Sequence, residues 1–445
     1  MKIYPDTKVY VLCPANYHTG GAELCHQLCS QLIIFGVDAY MCYFGGDASV
    51  SNPVHEFYAK YHLPYAFDVE DSDRNIFVVY EGPTEFLYMT KKIRRVLWWL
   101  SADNFLVCLS EALLSLPKCM RLDSEPLPKV FSFHNADNDL IHFVQSEYAR
   151  RFVKVNGIPD DRIFMVEDYL NQTFLQRAAH VDLAAKKNFV AFNPKKGFEA
   201  TEQLMKLAPD IDWRPIQNMT PAQVQELLAA SKIYIDFGEH PGKDRIPREA
   251  AVSGCVVITG RRGSADNEVD INIPDEFKFG FDTSTPQQVI DKIHEVFENF
   301  RTAYDKQAAY RARIFDDRNR FAREVAAAFE IKNFPLTVAF PQGVGEESYL
   351  LAEEFLRGNK FVPKFIVDDV MSTAAVAENS DGLIVREQNR NFLRVGESSV
   401  EIITRADAKF LYFEGRIKKF ALLEPRDDEL ATLKKFFADV LIFRR

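Results

Sequence analysis

The chain has 445 residues, 47% of them hydrophobic, with 37 Phe and 17 Tyr; this is enough for two or three domains with a large core and excludes a disordered protein. Its formal net charge of −10 excludes a general nucleic-acid binder, which needs a positive surface to replace counterions, yet leaves room for a local basic pocket that takes a diphosphate. The N-terminal segment MKIYPDTKVYVLCP has no long apolar core, and no run approaches the roughly 20 residues needed to cross a bilayer, so a cytoplasmic protein is expected.

In chain order, KVYVLCP (8 to 14) is a β-forming apolar run. The pair Gly20-Gly21 follows, and then the amphipathic stretch AELCHQLCSQLIIFG, which predicts a helix ending at Gly36 as C-cap. VDAYMCYFG, NIFVVYEG (75 to 82), RRVLWWLS (94 to 101), FLVCLS (105 to 110) and DLIHFVQS (139 to 146) read as further strands. Short apolar strands between helices predict a parallel, doubly wound sheet. The basic start of KKIRRVLWWL (Lys91, Lys92, Arg94, Arg95) could touch an anionic membrane face, but a helix end followed by a buried strand is the favoured reading.

A second such unit begins near residue 187. KNFVAFNP, DIDWRPIQN, KIYIDFG and CVVITG read as strands, and GFEATEQLMKLAP, TPAQVQELLAAS and RIPREAAVSG as helices, with Thr220 and Pro221 fitting N-cap and N1. Residues 286 to 330 read as helical. The expected division is 1–175, 176–333 and a small α/β domain at 334–445. The last opens with LTVAFPQGVGEES and reaches Asp368-Asp369 through a strand, glycine-loop, helix and strand pattern. Gly343 and Gly345 lack the third glycine of a dinucleotide fingerprint, so a structural or interaction role is expected there. Two α/β units in tandem put a cleft between them, and open parallel sheets bind ligands beyond the carboxyl ends of their strands.

The seven cysteines, Cys13, Cys25, Cys29, Cys42, Cys108, Cys119 and Cys255, sit mostly in apolar patterns and read as reduced core residues. Cys25 and Cys29 flank His26 on the first helix, but no second ligand pair follows, so packing is expected rather than a metal.

The richest stretch for chemistry is FGEHPGKDRIPREAAVSGCVVITG (237 to 260). A strand ends, and a polar loop carries Glu239, His240, Lys243, Asp244 and Arg245. A helix then begins with Glu249 expected in its first turn, where the helix dipole favours a carboxylate and free N–H groups can hold phosphate. Lys243, Arg245 and Arg248 would add positive charge beside it.

This stretch resembles the donor-site helix of the retaining GT-B glycosyltransferases, in the broad family where a Glu is followed by Ala, a small-residue turn and a strand (glycosyltransferase family 4/1-like). Here the pattern stands as Glu249, Ala250, Gly254, Cys255, Val256 and Val257. The family's earlier Glu, eight positions before, is replaced by Pro241, with Glu239 close by as a substitute. Asn193-Pro194-Lys195-Lys196-Gly197 is similar to the family's diphosphate loop: Lys196-Gly197 matches its Lys-Gly pair, and Asn193 stands for its Arg. His18-Thr19-Gly20-Gly21-Ala22-Glu23 resembles the family's Gly-Gly loop, where the backbone approaches the donor closely. The resemblance spans roughly residues 8 to 330, with IHFVQSEYARRFVKVNGIPDDRIFMVEDYL (141 to 170) as the last N-domain strand, its helix and the crossover.

The resemblance implies two Rossmann-like domains facing a cleft and glycosyl transfer with retention from a nucleoside diphosphate sugar. Lys196, Lys243 and Arg245 would stabilise the leaving diphosphate and Glu249 would hold the ribose. Asp103, His134 and Glu239 are the candidate catalytic residues, Asp103 to orient the acceptor hydroxyl and Glu239 in place of the family's earlier Glu. No acidic pair at metal-ligand spacing lies near the phosphate site, so neither a metal nor another cofactor is expected. A glycan or lipid-linked acceptor, in polysaccharide synthesis, is implied at family level only. The rival readings are an epimerase or hydrolase on the same fold, and a non-catalytic binding or scaffold protein.

Overall fold

The computed structural model describes residues 1–45, 52–114, 130–135, 139–178, 180–280 and 285–331, and beyond these only eight strands between 337 and 443. Two compact units result: the first comprises Met1–Ile33 and Val37–Glu330, and the second Ile34–Gly36 and Ile331–Arg445.

The first unit opens with β1 (Lys8–Pro14), α1 (Gly20–Ile34), β2 (Asp38–Phe44), β3 (Tyr65–Ala66), β4 (Ile76–Tyr80), β5 (Arg94–Trp99) and α2 (Ala102–Leu114). It continues with β6 (Ile141–Val144), α3 (Glu147–Val155), β7 (Ile163–Met165) and α4 (Gln172–Ala178). The seven strands form one sheet in the order β3-β2-β1-β4-β5-β6-β7, with every pairing parallel. Strands buried on both faces explain the unbroken apolar runs of β1 and β5. The tryptophans of β5 close the core: Trp99 packs against Phe105, Phe131, Phe133 and Phe152 with ring centroids 5.0–5.7 Å apart.

Two expectations change here. FLVCLS is helix, not strand: Ser101 Oγ accepts the N–H of Asn104 at 3.0 Å and caps α2, which buries Phe105 and leaves Leu106 and Val107 exposed. A short apolar run does not by itself distinguish the two periods. The strand at 141–144 is also not the last of its sheet, because β7 adds one more beyond α3.

The second half of this unit holds β8 (Lys187–Phe192), α5 (Phe198–Leu207), β9 (Asp212–Pro215), α6 (Pro221–Ala230), β10 (Ser231–Asp236), α7 (Arg245–Val252), β11 (Val256–Gly260) and β12 (Lys278–Phe279). Helices α8 (Thr285–Glu298), α9 (Phe300–Lys306) and α10 (Ala308–Ala328) follow. Its sheet is parallel throughout, in the order β12-β11-β10-β8-β9. Thr220 caps α6 in a full capping box with Gln223 and with Pro221 at N1, as its sequence implies. The fold is therefore α/β, two Rossmann-like doubly wound sheets in tandem.

Helix α10 packs on α7 and against β7, and Phe321 and Phe329 meet Tyr169 and Phe143. Buried beside it is a charge cluster. Lys243 Nζ lies 2.6 Å from Glu167 and 3.0 Å from Asp317, while Arg248 reaches Asp168 at 2.6 Å and Asp317 at 3.2 Å. Arg320 lies 2.9 Å from Glu167 and also meets Asp317. Burial alone would raise the Glu167 carboxyl, but Lys243 and Arg320 outweigh it and hold the group well below the usual carboxylate range.

The second unit has one mixed sheet of β13 (Thr337–Phe340), β14 (Val362–Phe365), β15 (Gly382–Glu387), β16 (Arg390–Val395), β17 (Ser398–Thr404), β18 (Lys409–Leu411), β19 (Lys419–Leu423) and β20 (Asp439–Phe443). Its order is β14-β13-β15-β16-β17-β18-β19-β20. The β13–β14 pair is parallel, while β15 to β19 form an antiparallel run that the sequence did not announce. Gly343, Gly345, Asp368, Asp369 and Cys119 lie outside the described residues.

Among the described residues no helix is long and apolar enough to cross a membrane. Arg94 and Arg95 begin β5 and donate to the carbonyls of Lys2 and Leu87, the Lys91 and Lys92 N–H groups donate to Asp71, and the apolar part of the stretch is core.

Because both carboxylate partners of Arg248 are buried, Arg248→Met should lower stability by about 3–5 kcal/mol in denaturant unfolding; an unchanged midpoint would contradict this account of the cluster.

Candidate functional site

In each parallel sheet the strand order reverses once, between β1 and β4 in the first and between β8 and β10 in the second. Ligands of such sheets bind in the crevice outside these switch points. The loops at both switch points line one cleft of about 640 Å3. From the first sheet come Pro14, Tyr17, Gly20, Gly21, Glu81, Leu100 and Asn104, and from the second Pro241 to Arg245.

The two halves touch across this cleft. A Cβ on Gly242 would stand 2.4 Å from the Leu100 carbonyl oxygen and 2.8 Å from Gln145 Oε1, so only glycine fits. Asp270 accepts the N–H groups of Glu147 and Tyr148 at 2.8 and 3.0 Å, capping α3 from the opposite half. Arg245 pairs with Glu23 of α1, and Lys60 stands 3.8 Å from the same carboxylate. Burial would raise Glu23, but these two cations overcome it and hold the carboxyl below its usual value.

Gly20 and Gly21 are the first residues of α1 and line the cleft. Added Cβ atoms there would lie 3.7 Å from Arg245 Cδ and 3.3 Å from Leu100 Cδ1, so the pair keeps the floor open between the halves. Gly197 has a positive φ of 60°, and a Cβ there would meet the Phe237–Gly238 backbone at 2.4 Å. The Lys-Gly pair thus seats the β8 loop against the β10 loop. Lys196 Nζ bonds Asp244 at 2.8 Å. Lys195 N–H donates to the side chain of Asn193 at 3.0 Å, which shapes the turn.

The other predicted residues are placed differently from one another. Lys243 borders the cleft, but its ammonium points into the carboxylate cluster. Arg248 is 1% exposed and wholly engaged there. Glu249 sits in the second turn of α7, not the first, 3.7 Å from Arg245; burial raises its carboxyl, with Arg245 and Arg248 opposing. Glu239 is exposed and pairs with Arg262 at 3.1 Å. Asp103 accepts the Tyr148 hydroxyl at 2.9 Å, and His134 stands exposed in a short 3-10 turn. Of the predicted residues only Gly20, Gly21, Lys243 and Arg245 are among the described residues lining the cleft; Asp103, His134, Lys196, Gly197, Glu239, Arg248 and Glu249 are not.

His26 is no metal ligand as placed: its two ring nitrogens bond the Tyr43 hydroxyl at 2.8 Å and the Ala22 carbonyl at 2.7 Å. Among the described residues no group of His, Cys, Asp and Glu has the arrangement of a metal site.

Two features were not singled out from the sequence. His240 is fully buried, with Nδ1 2.8 Å from Asp244 and Nε2 3.6 Å from Asp236. Burial lowers its pKa, but the two carboxylates outweigh burial and leave it above the ordinary value. Glu81 is buried at the end of β4, where it accepts the Leu100 N–H at 2.9 Å and the Asn104 amide at 3.0 Å. The signal for Glu81 was a charged residue closing an apolar strand at a switch point.

A histidine with a raised folded pKa binds protons more tightly when folded. The stability it contributes is fully present below its ordinary pKa near 6.5 and is lost as pH rises through the folded value. The thermal stability of the wild type should therefore fall over this window relative to that of His240→Gln; parallel profiles would contradict the placement.

No protein-family pattern matches the chain, and no curated protein matches it in sequence. Solved structures do match. A glycosyltransferase from Rickettsia africae ESF-5 superposes with a TM-score of 0.50 at 14% identity, over 74% of this chain and 100% of that one. Anabaena Alr3699/HepE, solved with UDP-glucose, gives 0.46 at 10% identity over 72% and 98%. The sucrose-phosphate synthase of Thermosynechococcus elongatus gives 0.48 at 11% over 72% and 98%. The architecture of the first unit, two parallel doubly wound sheets whose switch points share a cleft, is the GT-B fold.

Proposed function

We propose that the chain is a glycosyltransferase that moves a sugar from a nucleoside diphosphate sugar to a hydroxyl acceptor. The observation that carries this reading is the meeting of both switch points in one cleft, with the start of α7 and Arg245 on the second-sheet side.

Charge grows on the diphosphate as the glycosidic bond breaks. Arg245 lines the cleft where it would lie, Lys196 stands behind the lining residue Asp244, and the α7 N-terminus adds its dipole. Both cations have carboxylate partners, Arg245 with Glu23 and Lys196 with Asp244. The diphosphate displaces these carboxylates, so donor binding weakens steeply with salt. Glu249, one turn further along α7, holds the ribose hydroxyls. Arg248 and the Lys243 ammonium hold the loop in place and do not contact the donor. Asp103 acts on the acceptor side only through Tyr148. The retaining course and a glycan or lipid-linked acceptor rest on the resemblance of the Glu249 helix; the anomeric configuration of the product tests the first. No metal is part of the proposed step, and chelator-treated enzyme should keep its activity.

Calorimetry with UDP, GDP, ADP and CMP should show selective binding of one nucleotide. Glu249→Ala should weaken it by about 1–3 kcal/mol, as expected when a hydrogen-bonded ligand loses its partner. A folded protein that binds none of them overturns the transferase reading and favours a scaffold.

A further inference from the structure

Resting on the donor reading above, we infer that Glu81 is the catalytic carboxylate of the acceptor side, the group that takes the proton of the attacking hydroxyl. It lies at the carboxyl end of β4, directly at the β1/β4 switch point, and lines the cleft. It also lines an adjoining pocket of about 130 Å3, with Gly82, Thr84, Phe105 and Leu109. The donor-binding loops lie on the opposite side of the main cleft, so an acceptor hydroxyl approaching from the first sheet meets Glu81.

Its surroundings keep it reactive. The side chain is fixed from two directions, by the Leu100 N–H on Oε2 and the Asn104 amide on Oε1. Both partners are neutral, and the Ser101 N–H and the residue's own N–H add further hydrogen bonds. Among the described residues no ion pair involves Glu81, in contrast to Glu23, Glu167 and Asp168, which all have cationic partners. Tyr80, Cys108 and Glu85 line the two pockets with it from the first sheet, and Lys243, Asp244 and Arg245 line the main one from the second half. Burial, opposed only by the Asn104 and main-chain hydrogen bonds, lifts its pKa to about 7, where a group both accepts and releases a proton readily. An ion pair at this position would have held it ionised and inert.

In the step, the acceptor oxygen forms a bond to the anomeric carbon on the face away from the diphosphate; this course inverts the centre, so a product of retained configuration would overturn the Glu81 assignment in favour of the course implied by the Glu249 helix. The bond from that carbon to the diphosphate oxygen breaks, and its electron pair leaves with the nucleoside diphosphate. The hydroxyl proton passes to the Glu81 carboxylate, which returns it to solvent. Asn104 is a positioning residue that keeps Oε1 turned to the cleft.

The test uses the full chain, with UDP-, GDP- and ADP-glucose as donors and water as acceptor. Nucleotide binding is measured by calorimetry and nucleoside diphosphate release is followed against pH. The expected result is that Glu81→Gln binds nucleotide as the wild type does, while its release rate falls by about 100-fold or more. The wild-type rate should rise with pH through neutrality as Glu81 ionises, and the variant should lose that rise. A merely structural role would weaken nucleotide binding and leave the shape of the pH profile intact. Undiminished turnover in Glu81→Gln, or nucleotide binding without any turnover in the wild type, overturns this assignment alone. Absence of nucleotide binding in the wild type overturns the donor reading itself.

Discussion

The first unit depends on a set of charges that water does not reach. Lys243 and Arg248 come from the β10 loop and α7, Glu167 and Asp168 from the segment after β7, and Asp317 and Arg320 from α10. Removing charges from water costs several kcal/mol per ion, and only close, multiply bonded pairing offsets it. Such a cluster tolerates little displacement. It therefore fixes the crossover between the sheets, the loop that carries His240 to Arg245, and the helix that returns to the first sheet. The width of the cleft follows from that geometry, and the contact of Gly242 with Leu100 and Gln145 leaves no slack.

The cleft itself is balanced differently on its two sides. On the second-sheet side Lys196, Lys243 and Arg245 already have carboxylate partners, so in the proposed function an anionic ligand enters by exchange rather than by filling an unpaired positive pocket. On the first-sheet side Glu81 has no counter-charge among the described residues and is held by neutral donors. The arrangement separates two tasks: one side exchanges ion pairs to bind charge, and the other keeps a carboxyl near neutrality to move a proton.

Most of the strands were legible because β-branched and aromatic residues cluster in short runs bounded by glycine, proline and polar residues. The exceptions have physical reasons. FLVCLS is too short to display a period, and its capping Ser101 was the better guide. β7 is three residues long and only half-buried, so its sequence carries little contrast. Of the site, the glycines and Lys196 were visible as local patterns. The fates of Lys243 and Arg248 were not, because Glu167 lies 76 positions before the first and Asp168 lies 80 before the second. A charge at a helix start reads the same whether it faces a ligand or a buried carboxylate; only tertiary pairing distinguishes them.

The claim that the switch-point cleft takes a nucleoside diphosphate sugar is tested most directly by hydrogen exchange of the full chain with and without UDP-, GDP- or ADP-glucose. The account predicts that one of them slows exchange in the loops 193–198 and 237–249 and at the start of α1, with the strands behind them unchanged. Protection confined to other surfaces, or none with any donor, would contradict it.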